Sequence, residues 1–104
     1  MIIQSKKVWI ADRFFPAQIE MEGEKIKNVY DYGTKEVDVD YGSKRIVPGF
    51  IDIHCHGAYT FDTNDANEEG LRNWTKGIVD EGVTGFLATT ITQSEEVLTN
   101  AVKN

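Results

Sequence analysis

The sequence predicts an α/β chain in two segments: a small antiparallel β-sheet or sandwich over residues 1–47, then a β-α-β unit over residues 48–104. Two observations carry this. Before Pro48-Gly49, apolar residues alternate with polar ones at period two and turn residues are frequent. After it come a short apolar run, a stretch at helical spacing and a second apolar run. Composition agrees: 40% hydrophobic and 27% charged over 104 residues is ordinary globular usage, enough to bury a core.

In the first segment Val8 and Ile10 alternate with Lys7 and Trp9, and Ile19 and Met21 with Glu20 and Glu22. Ile26 resumes the pattern after Glu22-Gly23-Glu24. Gly23 can take positive φ, so this reads as a β-hairpin with strands near 17–21 and 25–30. Val37 and Val39 alternate with Asp38 and Asp40. Tyr41-Gly42-Ser43 then turns the chain into Lys44-Arg45-Ile46-Val47. Trp9 and Phe14-Phe15 read as sheet packing.

In the second segment Phe50–His56 is a strand closed by Gly57, and residues 57–66 are a loop. Leu71, Trp74, Ile78 and Val79 fall at i, i+3, i+7 and i+8, one face of a helix with Trp74 in the core. Asp65 with Glu68 can open that helix as a capping-box variant, and Asn67 competes as N-cap. Gly82 ends it, while Gly70 and Gly77 inside it each cost about 1 kcal/mol against Ala. Residues 83–91 read as the second strand. Thr92 or Ser94 then caps a helix with Val97, Leu98, Ala101 and Val102 on its apolar face.

The net charge is −6, which argues against nucleic acid and anionic membranes as partners. No stretch approaches the roughly 18 apolar residues of a membrane span, and Met1–Lys7 lacks the pattern of a signal peptide. The single cysteine, Cys55, excludes an internal disulfide and fits a reducing cytoplasmic setting. The glycines form neither a dinucleotide fingerprint nor a P-loop.

The chemistry concentrates at His54-Cys55-His56, which holds both histidines of the chain. Residues two apart on a strand share a face, so Asp52, His54 and His56 are expected on one side and Ile51, Ile53 and Cys55 on the other. Two imidazoles so placed can bind one divalent metal, and in a parallel β/α barrel the C-terminal end of a strand is where catalytic residues lie. A bare His-x-His can equally be a pair of satisfied or solvated polar groups. Asp52 is expected to anchor the strand end by hydrogen bonds, and Asp62 to orient the following loop. Cys55, with no base beside it, reads as helix-facing core. Thr89 and Thr90 end the second strand, where one could line a site.

Val47-Pro48-Gly49-Phe50-Ile51-Asp52-Ile53-His54-Cys55-His56-Gly57 resembles the first barrel strand of the amidohydrolase superfamily. The hairpin Ile19–Ile26 resembles the small β-domain that precedes that barrel. The loop Gly57–Thr63 and the block Glu81–Thr92 are similar to the N-acetylglucosamine-6-phosphate deacetylase family, although Ala58, Phe61 and Asn64 depart from the usual loop. The resemblance covers essentially this whole chain but a third or less of such an enzyme. It implies the first β-α-β unit of a (β/α)8 TIM-like metal-dependent hydrolase barrel. His54 and His56 match the metal-binding pair, with one or two divalent ions, zinc or iron, in a full-length subunit. It implies hydrolysis of N-acetylglucosamine 6-phosphate to glucosamine 6-phosphate and acetate in amino-sugar catabolism, by a cytoplasmic homodimer. The remaining ligands, the general-base Asp and the sugar-binding residues are expected beyond residue 104, so this chain alone is expected to be inactive. The alternatives are another amidohydrolase, such as a dihydroorotase-like enzyme or a deaminase, and a non-catalytic small binding module.

Overall fold

A computed structural model describes residues 1–104, which form two compact units, Met1–Pro48 and Gly49–Asn104. In the first, β1 (Ile2–Ile10), β2 (Arg13–Glu22), β3 (Lys25–Asp31), β4 (Val39–Asp40) and β5 (Arg45–Ile46) make one sheet. Its order is β3-β2-β1-β4, with β5 also on β1. Two-residue turns join the first three strands. Ala11 and Asp12 both have positive φ, as a type I′ hairpin requires, and Gly23 supplies positive φ at the second turn.

Pro16 lies inside β2, which has neighbours on both sides, yet no ladder bond is missed. β3 pairs only from Ala17 onward, and β1 bulges so that Lys6 and Lys7 together oppose Pro16. The amides freed at the bulge find other acceptors: Lys6 N–H donates to Gly42 O at 2.8 Å and Lys7 N–H to Ser5 Oγ at 2.9 Å.

The expected antiparallel arrangement holds across β1, β2 and β3 but not beyond. β4 and β5 pair parallel with β1, and there is a single sheet rather than a sandwich. The reason is the crossover at 32–38, which passes from β3 to the free edge of β1. Fully buried Gln18 holds it: Nε2 donates to Lys35 O and Oε1 accepts from Lys35 N–H, both at 2.9 Å. The same Nε2 reaches Gln4 Oε1 at 2.8 Å, and Gln4 reaches Asp40 Oδ2 at 2.9 Å. Val8, Ala17 and Ile19 form the apolar core of this unit, with Ile3, Ile10, Met21 and Ile46 packed on it. Trp9 and Phe14 pack edge to face at 4.9 Å.

The second unit is β-α-β. β6 (Phe50–Cys55) and β7 (Val83–Ala88) pair parallel. Between them come α1 (Glu68–Gly77) and a 3-10 turn, Ile78–Glu81. α2 (Glu95–Lys103) follows, capped by Ser94 Oγ on Val97 N–H. Asn67, not Asp65, caps α1, accepting from Gly70 N–H at 2.9 Å. Asp65 is already engaged in a capping box with Asp62 on a separate short 3-10 turn, Thr63–Asp65.

Trp74 is 1% exposed, between Phe86 at 4.5 Å and Phe61 at 5.8 Å, with Ile78 completing the cluster. Val79 leaves the expected apolar face and is exposed, because the helix tightens to 3-10 at Ile78 and the 100° spacing ends there. Gly82, at φ 83°, closes that turn by donating to the carbonyls of Ile78 and Val79.

Candidate functional site

The site stands where β6 ends. Strict alternation along β6 does not hold. The register with β7 slips by one residue between Asp52 and Cys55, so Ile53 and His54 together oppose Leu87. Asp52 Oδ1 accepts the His54 amide at 3.0 Å, the anchoring role expected of it. Cys55 packs against the Trp74 cluster, whereas Ile51 and Ile53, expected on its face, are exposed. Burial, and secondarily the negative charge of Asp52, pushes the Cys55 thiol up, away from nucleophilic character.

His54 and His56 nevertheless meet. Their ring centroids are 4.8 Å apart at an interplanar angle of 82°, with His54 exposed and His56 half-buried. His56 is held from two directions. Its carbonyl accepts from Thr63 N–H at 2.7 Å and from Thr63 Oγ1 at 2.8 Å. Its Nδ1 lies 3.1 Å from Thr89 O and 3.3 Å from Thr89 Oγ1. Thr89 also donates to Cys55 O, through its amide at 2.8 Å and its hydroxyl at 3.0 Å. Thr90 lies apart from this cluster, beside Phe61, Leu71 and Ala101.

The loop 57–66 turns back under the strand end through several left-handed residues: Gly57 at φ 146°, Tyr59 at 55°, Thr60 at 64° and Ala66 at 49°. A side chain at Gly57 would enter the Phe61 carbonyl, so only glycine permits this approach. Asp62 Oδ1 accepts from Asn64 N–H at 2.8 Å, and Asn64 Nδ2 reaches Ile91 O at 3.2 Å. The Asp62 carboxylate thus organises the loop, as expected. Tyr59 donates to Glu81 Oε1 at 2.6 Å, which raises the phenol above its ordinary pKa.

Two imidazoles at a strand end form a nitrogen donor pair suited to a divalent transition metal. No third His, Cys, Asp or Glu of residues 1–104 converges with them. Sequence periodicity brings out the pair, and Asp52 and Asp62 have structural partners instead. Thr89 is the member of the cluster that spacing alone could not single out, since its contact depends on β7 returning beside β6.

No protein-family model matches the chain. Among curated proteins, an N-acetylglucosamine-6-phosphate deacetylase of Lysinibacillus sphaericus is 53% identical over 51 residues, covering 49% of this chain and 13% of its own length. One of Bacillus subtilis (strain 168) is 46% identical over 59 residues, covering 57% of this chain and 15% of its own. By sequence this chain is a homologue of N-acetylglucosamine-6-phosphate deacetylases. It matches only a small part of the length of those deacetylases. The fold agrees: a point mutant of the Mycobacterium smegmatis deacetylase, solved in complex with N-acetyl-D-glucosamine-6-phosphate, superposes at TM-score 0.90 and 22% identity. That superposition covers 98% of this chain and 27% of the other, and matches the N-terminal part of the deacetylase fold. No helix of the chain is long and apolar enough to cross a membrane.

Proposed function

We propose that the whole protein containing this chain hydrolyses N-acetylglucosamine 6-phosphate to glucosamine 6-phosphate and acetate. The observation that carries this is the 53% identity to a deacetylase over 51 residues of this chain. On this reading residues 1–47 belong to a small β-domain, and residues 48–104 are the first β-α-β part of a (β/α)8 barrel. The exposed apolar side chains of the parallel pair support that assignment, since Phe50, Ile51, Ile53 and Leu87 are 60–72% exposed and neighbouring barrel elements would cover them.

His54 and His56 would hold a divalent ion, zinc or iron, as part of a larger ligand set. The donor chemistry fits: two imidazole rings meet at a strand end, and one of them has a ring nitrogen already engaged by a backbone carbonyl. Such an ion supplies Lewis-acid polarisation of the amide carbonyl. This chain's own residues orient that pair. Asp52 fixes the His54 main chain, Thr63 fixes the His56 main chain, and Thr89 fixes the His56 ring. The general base is an Asp outside residues 1–104. The protein works as a cytoplasmic homodimer.

The test is turnover by the full-length protein of N-acetylglucosamine 6-phosphate, dihydroorotate and aminopurine nucleosides, read as acetate release, ring opening to carbamoyl aspartate and ammonia release respectively. Preferential turnover of the phosphosugar is expected, with none by the 104-residue chain. Turnover confined to dihydroorotate or a nucleoside would overturn the deacetylase reading. Phosphosugar turnover by the 104-residue chain alone would overturn the division of the site.

A further inference from the structure

We propose that Thr89 is a positioning residue for His56, holding its imidazole in the tautomer protonated at Nδ1 and so leaving Nε2 as the nitrogen with a free lone pair. The inference deepens, and rests on, the reading of His54 and His56 as metal ligands.

It follows from hydrogen bookkeeping around one nitrogen. Nδ1 of His56 has two close polar neighbours, both from Thr89: the main-chain carbonyl at 3.1 Å and the hydroxyl oxygen at 3.3 Å. The carbonyl carries no proton and can only accept. The hydroxyl has a single proton, and Cys55 O at 3.0 Å is the nearer acceptor for it. With the proton there, a lone pair of Oγ1 is turned to Nδ1. With acceptors on both approaches, a bare Nδ1 would set lone pair against lone pair, whereas a protonated Nδ1 satisfies the carbonyl directly. A neutral imidazole has only one N–H, so protonation at Nδ1 leaves Nε2 free to ligate.

The placement is also rigid. Thr89 N–H and Oγ1 both bond Cys55 O, so the residue is tied to the residue just before His56. Thr63 holds the carbonyl on the other side of the ring's own backbone. The ring therefore has a fixed partner from β7's end and a fixed main chain from the loop. Partners of this kind typically change metal affinity by about 10–100-fold when removed.

The decisive measurement is long-range ¹H–¹⁵N correlation of the histidine side chains of the full chain, at a pH about 1.5 units above the usual imidazole range near 6.5. His56 is expected as the Nδ1–H form. A Nε2–H form, or an equal mixture, would overturn the proposal whatever the metal does. Titration with zinc chloride is then expected to perturb Nε2 of His56. An Nδ1–H tautomer with no response of either histidine to zinc would leave the tautomer assignment standing and overturn the ligand reading. Thr89→Val, which removes the hydroxyl and keeps the shape, is expected to weaken zinc binding about tenfold and to broaden the His56 ring signals. Thr89→Ser is expected to restore both. Unchanged zinc affinity and line width in Thr89→Val would overturn the hydroxyl's part.

Discussion

Phe61 fills the space above Gly70. A Cβ on that helix residue would stand 2.5 Å from Phe61 Cδ2 and 3.3 Å from Phe61 Cβ, and Phe61 is only 7% exposed. The ring cannot retreat without leaving Trp74. Gly70→Ala, which would gain about 1 kcal/mol in a free helix, is therefore expected to lose about 1–3 kcal/mol here. Urea unfolding followed by tryptophan fluorescence reads this directly. A higher midpoint in the variant would contradict the packing argument.

Gly77 is the instructive contrast. Its absent Cβ is covered by the Tyr59 ring, but Tyr59 is 47% exposed and held mainly by its bond to Glu81. The phenol can swing into solvent. Gly77→Ala is expected to change stability by less than about 1 kcal/mol, because the helix gain and the lost Tyr59 contact offset each other. The same denaturation series separates the two glycines.

These glycines also show how far the sequence can be read. Their cost to α1 is visible from composition alone, but the aromatic loop that needs them is not, because residues 57–66 double back through left-handed backbone that no periodicity marks. The Gly23 hairpin is legible because glycine advertises positive φ. The Ala11-Asp12 turn is less so, since Asp tolerates positive φ but Ala does not advertise it. β4 and β5 read as short antiparallel strands, and that orientation is wrong. Their parallel pairing depends on a crossover clamped by Gln18, a polar residue that patterning would place outside. At the site, the meeting of His54 and His56 follows from their spacing, yet it survives a register slip that spacing does not foresee.

Gln18 supplies a test of that crossover. Truncation to Ala leaves the buried Gln4 Oε1, and the Lys35 N–H and O at the edge of the site, without their partner. An unsatisfied buried polar group costs about 1–3 kcal/mol, so Gln18→Ala is expected to lose at least that range's lower end, with faster amide exchange at Lys35. Native exchange protection at Lys35 in the variant would refute the clamp.

Acid acts on the first unit through two carboxylates. The Gly42 amide, and then the Gln4 side chain, hold Asp40 below the usual carboxylate range, while Tyr30 and Asn28 do the same for Glu20. A depressed pKa in the folded state means that the unfolded chain takes up protons first. The stabilisation is thus full only well above the unfolded values of about 3.9 and 4.3, from about pH 5.5 upward, and is lost as pH falls through the folded values. Both groups lie at the surface, so the effect is small. Asp40→Asn is expected to flatten the acid limb of a stability–pH profile, measured by urea midpoints. An acid limb as steep as the parent's would show that Asp40 is not among its causes.

Asp62 and His56 lie six residues apart in sequence, and exchanging their side chains for neutral ones should have opposite signatures. Asp62 accepts from Asn64 N–H as the cap of its turn, and no convergence with the histidines is present. Asp62→Ala is accordingly expected to cost about 1 kcal/mol of stability, the usual worth of a lost cap, with zinc binding by the full chain unchanged. His56→Asn removes a ring that half-faces solvent and is expected to leave stability within about 0.5 kcal/mol apart from its Thr89 bond. Zinc affinity should then fall about tenfold or more, because one of two nitrogen donors is gone. Calorimetric zinc titration beside urea unfolding of both variants distinguishes cap from ligand. Loss of zinc binding in Asp62→Ala, with the fold intact, would move Asp62 into the ligand set and require the loop to open around it.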